Sequence, residues 1–77
     1  MNINQLVRRI DEARMREATP ALLLLCKADY RALRAAMVFD VPDGSLTSFM
    51  AVPVAQSLAL RSHLIVDTFY GPEVWML

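Results

Sequence analysis

Cysteine, histidine and glycine are all scarce in this sequence. It has one cysteine (Cys26), one histidine (His63) and two glycines (Gly44 and Gly71). A lone cysteine excludes an internal disulfide, and a zinc site built from Cys and His would need ligands from several chains. Two glycines are too few for a glycine-rich loop that holds phosphate. The sequence therefore predicts no disulfide, and we expect neither a metal nor a cofactor.

An excess of charge of either sign is also missing. Eight Lys and Arg residues balance eight Asp and Glu residues, so the formal net charge is zero. A general nucleic-acid binder needs a basic surface that neutralises phosphates, and this class of function is not expected. Zero net charge also removes the repulsion that keeps protein molecules apart.

A long hydrophobic run is absent too. The apolar run from Ala21 to Cys26 has six residues, whereas a membrane-spanning helix needs about 20. The residues that follow Met1 are polar, so no secretory signal is predicted. We expect no membrane association and a cytoplasmic location.

Apolar residues are nevertheless abundant, at 56% of the chain, and the mean hydropathy is +0.34. Seventy-seven residues make one small domain, residues 1–77, with a marginal core. Small domains gain further stability from disulfides, a metal or a partner surface, and the sequence leaves the partner surface. The composition therefore favours self-association, with the chain itself or a larger protein as partner.

Residues 3–17 are predicted to form an amphipathic helix, because apolar residues recur at helical spacing. Asn2 or Asn4 can cap its start. The helix should end before Thr19, since a residue that precedes proline, here Pro20, avoids the helical region. The apolar positions are Ile3, Leu6, Val7, Ile10 and Ala13.

The polar side of this helix mixes both charges. Glu12 lies four residues from Arg8 and from Arg16, which is the spacing of stabilising ion pairs. A mixed pattern of this kind is typical of a solvated, salt-bridged surface rather than a nucleic-acid site. Met15 lies off the apolar stripe and is a candidate surface residue. The interleaved charged residues are Arg8, Arg9, Asp11, Glu12, Arg14, Arg16 and Glu17.

A strand and a second helix follow. The run from Ala21 to Cys26 is short and apolar, which predicts a central strand buried on both faces. Lys27 to Asp29 begins a helix over about residues 28–38, so strand and helix form a compact βα unit. Its apolar stripe comprises Tyr30, Leu33, Ala36 and Met37.

The remaining sequence predicts strands. Asp40 to Gly44 has the residues of a tight turn, and Pro53 favours a position near a sheet edge for Phe49 to Val54. Within the strand at 64–69 we expect Ile65 to point inward and Asp67 outward. The other predicted segments are a strand at 46–51, a helical turn or a loop at 54–61, a turn at 70–73 and a strand or tail at 74–77. Together these predict an α+β fold, ordered α-β-α-β-β-β, in which a mixed sheet of three to four strands packs against two helices.

Catalytic motifs are absent from the sequence, and the protein is not expected to be an enzyme. Cys26 could act as a nucleophile with His63 as its base, but a lone cysteine that ends an apolar strand is typically a small buried hydrophobe. His63 next to Ser62 is more typical of a solvated histidine than of a pH switch.

Two groups of residues are candidate binding surfaces. Aromatic residues and methionine are enriched in interface cores, which points to the C-terminal residues; Trp75 could equally close the protein's own core. The candidate partner-binding residues are Phe69, Tyr70, Val74, Trp75, Met76 and Leu77, together with Met15. Alternatively, Arg31, Arg34 and Arg61 could contact a small anionic ligand held between protomers.

The order of these features over residues 20–67, about 60% of the chain, resembles part of the axial domain of the tailed-phage major capsid protein lineage, which includes encapsulins. The family has glycine before Val-Pro-Val, where this chain has Ala51. The matching segments are Leu22 to Cys26, Lys27-Ala28-Asp29-Tyr30 with Leu33, Asp43-Gly44, Phe49 to Val54, and Leu64 to Asp67.

The resemblance implies a free-standing axial-type domain, because a chain this short has no room for the long extended loop and spine helix of a capsid subunit. It implies a shell-building role, without catalytic residues, in the host cytoplasm or the virion. We therefore expect a non-enzymatic phage-type structural or interaction protein that assembles with itself or docks on a larger partner. The alternative is a small phage-encoded inhibitor that binds a host protein or sequesters an anionic ligand.

Overall fold

A computed structural model describes residues 2–37 and 45–77. These residues form two helices and a mixed five-stranded sheet, so the predicted α+β class is confirmed and the sheet has more strands than the three or four expected. The predicted turn at Asp40 to Gly44 lies outside the described residues. The elements are α1 (Ile3–Met15), β1 (Thr19–Leu25), α2 (Lys27–Ala36), β2 (Ser48–Phe49), β3 (Val52–Gln56), β4 (His63–Thr68) and β5 (Gly71–Met76).

The strand order in the sheet is β2-β3-β1-β4-β5. Strand β1 is central, as predicted, and pairs parallel to β3 and antiparallel to β4. The parallel pair requires a crossover, and α2 supplies it. Strands β2 and β5 form the two edges, and β3, which contains Pro53, is next to an edge.

The first additional strand arises from a hairpin turn whose residues are not typical of turns. Met50 and Ala51 have positive φ angles of 51° and 64°, and Phe49 pairs with Val52 across them. Two consecutive positive φ values make the tight hairpin turn that usually contains glycine or asparagine. Neither residue is present here, so the predicted strand at 46–51 is in fact β2 and the start of a hairpin.

The second discrepancy concerns β5. The turn was predicted at 70–73, but it lies earlier in the chain, because Thr68 already pairs with Gly71. Phe69 and Tyr70 form the turn, and the Thr68 hydroxyl accepts a hydrogen bond from the Tyr70 N–H over 3.1 Å. Pro72 is tolerated because β5 is an edge strand. The segment from Val54 to Arg61 was left open between a helical turn and a loop. Its first three residues belong to β3, and residues 57–62 form a loop.

Helix α1 begins as predicted and ends earlier than predicted. Asn2 caps it by accepting a hydrogen bond from the Asn4 N–H at 2.8 Å. Glu17 adopts a φ of 58°, and the Ala18 N–H reaches back to the Ala13 carbonyl at 2.9 Å. This is the Schellman arrangement that closes a helix, so the turn after Met15, rather than Pro20, ends the helix.

The hydrophobic core lies between the helices and one face of the sheet. Strands contribute the residues whose side chains point toward α1 and α2, and each helix contributes its apolar stripe. Exposure alternates along β4, where Leu64 and Val66 are buried while Ile65 is partly exposed and Asp67 fully so. The core comprises Leu6, Ile10, Ala13, Leu23, Leu25, Leu33, Leu46, Phe49, Val52, Leu64 and Val66.

Two predictions about burial are wrong for the same reason. Side chains alternate between the faces of a sheet with a period of two. Ile65 therefore points to the same face as Asp67, and Val66 is the inward residue. Strand β1 is buried on its helix-facing side only, because both helices pack against that one side.

No helix within residues 2–37 and 45–77 is long and apolar enough to cross a bilayer.

Candidate interaction surface

The face of the sheet opposite the helices is the most distinctive surface of the molecule. We call it the open face, because no helix or loop among the described residues is part of a hydrophobic cluster that covers it. Strand pairing and alternation place twelve side chains on it. They are Thr19, Leu22, Leu24, Ser48, Pro53, Ala55, His63, Ile65, Asp67, Pro72, Val74 and Met76.

Strand register arranges these side chains in rows across the sheet. Ile65 pairs with Leu22 on one side and with Val74 on the other, which forms a central row. The next row contains Leu24, His63 and Met76, in which His63 is the only polar side chain. Directly opposed side chains in neighbouring strands are about 5 Å apart, so each row is a continuous band.

The open face is apolar and accessible to solvent. Val74 is 60% exposed and Met76 is 49% exposed, and Leu22 and Leu24 of β1 are partly exposed. Contiguous exposed apolar surface of this kind marks an interaction site or an aggregation liability in most proteins.

His63 and Asp67 are the only titratable side chains on the open face of the described sheet. They lie four residues apart on β4, on either side of Ile65. His63 is partly exposed between two apolar neighbours, and Asp67 is exposed at the end of the strand. The face therefore carries one potential cation and one anion at equal distances from its central residue.

Trp75 lies on the other side of the sheet, beneath α1. The guanidinium carbon of Arg9 is 4.6 Å from the Trp75 ring centroid, and that of Arg16 is 5.7 Å away. Glu12 holds both arginines, at 3.1 Å from Arg9 and 2.8 Å from Arg16. Of the two predicted ion pairs, Glu12–Arg16 is present in the structure. Glu12 forms its second ion pair with Arg9, whereas the sequence predicted Arg8 as the partner.

A buried polar cluster joins the start of α2 to the start of β4. Ser62, which is 1% exposed, accepts a hydrogen bond from the Cys26 N–H at 3.0 Å and donates one to the Asp29 carboxylate at 2.5 Å. Burial raises the pKa of Asp29, but hydrogen bonds from the Ser62 hydroxyl and the Cys26 thiol outweigh it and leave that pKa below its ordinary value. The cluster fixes one end of the helix-facing layer.

The structure places the predicted partner-binding residues in five different parts of the molecule. Val74 and Met76 lie on the open face, and Trp75 lies beneath α1. Phe69 and Tyr70 form an exposed tip, with their rings edge to face at 5.4 Å. Met15 is exposed near the end of α1, while Leu77 packs against the core.

The three arginines of the alternative hypothesis, Arg31, Arg34 and Arg61, are exposed side chains on α2 and in the loop before β4. A cavity of about 300 Å³ lies between the start of α2 and residues 56–60. Its lining contains none of the three arginines; Lys27 is its basic residue.

A second cavity, of about 400 Å³, lies between α1 and the end of β5. Arg8, Arg9 and Glu12 line its polar side, and Met76 and Leu77 line its apolar side. Within the described residues no group of three His, Cys, Asp or Glu side chains is placed to hold a metal ion.

Sequence reasoning did not identify the central residues of the open face. Leu22, Leu24 and Ile65 were assigned to the core, since an apolar run in a strand is compatible with burial on either face. The available signal was the alternation in β4, where Asp67 marks the exposed side and Ile65 shares its parity. Ser62 carried no signal at all, because its role depends on contacts to α2.

No family model matches this chain, and neither the curated proteins nor the solved structures contain a significant match.

Proposed function

We propose that this protein is a non-enzymatic interaction module that pairs with a second copy of itself through the open face. The observation that carries the proposal is the exposed apolar surface centred on Ile65 and Val74. Such a surface is stable in water when it is covered, and packing of two sheets face to face is a common way of covering it. The neutral net charge allows two copies to approach each other.

The size of the open face agrees with a weak homodimer. Strands lie about 4.8 Å apart and rise about 3.3 Å per residue, so the four longer strands present about 400 Å² per copy in projection. Side chains that stand up from the sheet enlarge this area, and a face-to-face pair buries about 1,000 Å² in total, near the lower limit for specific interfaces. We expect dimers that form and dissociate with concentration.

The resemblance to the capsid protein lineage supports the same class of function, because proteins of that lineage act by assembling. Ala51 stands where the family has glycine, and its φ of 64° is one that glycine adopts most readily. A phage origin and a shell-associated role are part of the proposal.

Sedimentation velocity over a range of protein concentrations tests the proposal. We expect the weight-average mass to rise from monomer toward dimer in the micromolar range. Val74→Lys should abolish this rise, because a charge in the central row of an apolar interface must be desolvated without a partner. Val74 is exposed, so the substitution leaves the core intact.

Leu58→Lys is the matched control, because Leu58 is fully exposed in the loop before β4 and lies outside the open face. Its mass should follow that of the wild type. A wild-type protein that stays monomeric throughout, or a dimer that Val74→Lys does not weaken, would overturn the proposal. The second result would place the interface on an edge strand or at the Phe69–Tyr70 tip.

A further inference from the structure

We infer that the two copies pack with antiparallel β4 strands around a two-fold axis at Ile65, so that His63 of each copy faces Asp67 of its partner. This inference rests on the proposed function and specifies its geometry. A two-fold interface must be complementary to itself, because the same patch contributes both sides. The arrangement of charges on β4 supplies that complementarity.

The positions of His63 and Asp67 favour this axis. Each lies two residues from Ile65, on the same face and on opposite sides of it. Rotation by 180° about an in-plane axis that passes over Ile65 and runs across the strands brings each His63 above the partner's Asp67. An axis parallel to the strands would instead oppose the two Asp67 carboxylates, which is unfavourable for like charges.

The apolar side chains are compatible with the same axis. Leu22, Ile65 and Val74 share the central row, so each meets its own copy in the partner. Met76 in the row of His63 then meets Pro72 in the row of Asp67. The two titratable side chains of the face then contact each other rather than an apolar surface.

The surroundings of His63 within its own chain contain little charge. Its neighbours on β1 and β5 are Leu24 and Met76, neither of which is charged, and Arg61 lies in the loop before β4. Asp67 of the partner is therefore the charged group that faces His63 across the interface.

Exchange of the two charges tests the geometry. His63→Asp should weaken dimerisation about tenfold or more, because it opposes two carboxylates. Adding Asp67→Lys to that variant should restore most of the affinity by re-forming the pair with reversed polarity. The two positions are about 13 Å apart within one chain, which exceeds the screening length of about 8 Å at physiological salt, so rescue reports contact between copies.

Cross-linking provides an independent measurement of the axis. Val74→Cys should be joined across the dimer by a short bismaleimide, because Val74 lies in the row of the axis. Met76→Cys on the same strand should react poorly, since rotation separates the two copies of this position by about 13 Å along the strands. Cys26 is buried, so the wild type serves as the unreacted blank.

The outcomes separate the inference from the function on which it rests. Rescue by the exchanged charges, together with selective cross-linking at position 74, supports the geometry. Suppose instead that Val74→Lys disrupts the wild-type dimer, but Asp67→Lys does not restore dimerisation of the His63→Asp variant. This result overturns the inferred geometry and is still consistent with the proposed function. A wild-type protein that never dimerises overturns both.

Discussion

The Ser62 hydroxyl donates a hydrogen bond to the Asp29 carboxylate over 2.5 Å while it accepts one from the Cys26 N–H at 3.0 Å. Cys26 is the N-cap of α2, and its side chain makes no capping hydrogen bond. Asp29 occupies the third position of the helix, from which an acidic side chain usually bonds directly to the N-cap N–H. Here the Ser62 hydroxyl, from the residue that precedes β4, lies between the Cys26 N–H and the Asp29 carboxylate. The cap of α2 therefore depends on the position of β4.

Ser62→Ala should therefore destabilise the protein by about 1–3 kcal/mol, which is the usual result of leaving buried polar groups without a partner. Urea unfolding measures this change. Ser57→Ala is the control, because the Ser57 hydroxyl accepts one hydrogen bond in the exposed loop, and its effect should stay within about 0.5 kcal/mol. Equal effects of the two substitutions would contradict the relayed cap.

Asp29 should make the free energy of unfolding sensitive to acid. Burial raises its pKa, and hydrogen bonds from Ser62 and Cys26 outweigh this and lower the pKa below its ordinary value. A carboxyl group with a depressed pKa stabilises the fold above its unfolded-state pKa of about 3.9, and this contribution disappears as pH falls through the folded-state value. Stability should therefore decline below about pH 4.

Asp29→Asn should reduce that decline, because the substituted side chain no longer titrates. Unfolding by urea at a series of pH values from neutral down to about 3 is the measurement. Asp11→Asn, which removes an exposed carboxylate from α1, is the charge-matched comparison and should retain the wild-type slope. If both variants retained it, Asp29 would not be the group responsible.

Ala51→Gly should stabilise the protein by about 0.5–1 kcal/mol. Ala51 has a φ of 64° in the β2–β3 hairpin, where a Cβ atom is strained and glycine is not. Thermal or urea unfolding detects the gain. Ala55→Gly in β3 is the control, and it should destabilise the protein, because glycine in a strand interior loses packing and adds unfolded-state entropy. A loss of stability in Ala51→Gly would contradict the strained turn.

Arg9→Gln should destabilise the layer between α1 and β5 by about 1 kcal/mol. The substitution removes a cation that lies 4.6 Å from the Trp75 ring centroid and an ion pair to Glu12, and each is a modest contribution at a partly exposed site. Trp75 is the only tryptophan in the chain, so its fluorescence reports this contact. Arg8→Gln, at the adjacent exposed position, should change neither stability nor emission.

Much of the fold follows from short-range pattern. The stripe of Ile3, Leu6 and Ile10 predicts α1, and the apolar run bounded by Pro20 and Cys26 predicts a central strand, since both depend on the period of burial along one element. The β2–β3 hairpin is not predictable from this pattern, because Met50 and Ala51 adopt positive φ angles that are usually found at glycine or asparagine.

The candidate surface was only partly predictable. The aromatic residues and methionine near the C-terminus led to the prediction of a binding surface that included Val74 and Met76, and both lie on the open face. Ile65 and Leu22 were not identified, because the sequence pattern of an apolar strand residue does not depend on whether its face of the sheet is covered or open. Only the packing of both helices against one face distinguishes the two cases.

The sequence by itself determined the class of the fold, the central position of β1 and the abundance of apolar surface that favours a partner, since these depend on composition and local periodicity. The tertiary structure alone decided which face of the sheet stays uncovered, that His63 and Asp67 flank Ile65 on it, and that Ser62 completes the cap of α2. These depend on contacts between residues distant in sequence, which local pattern does not record.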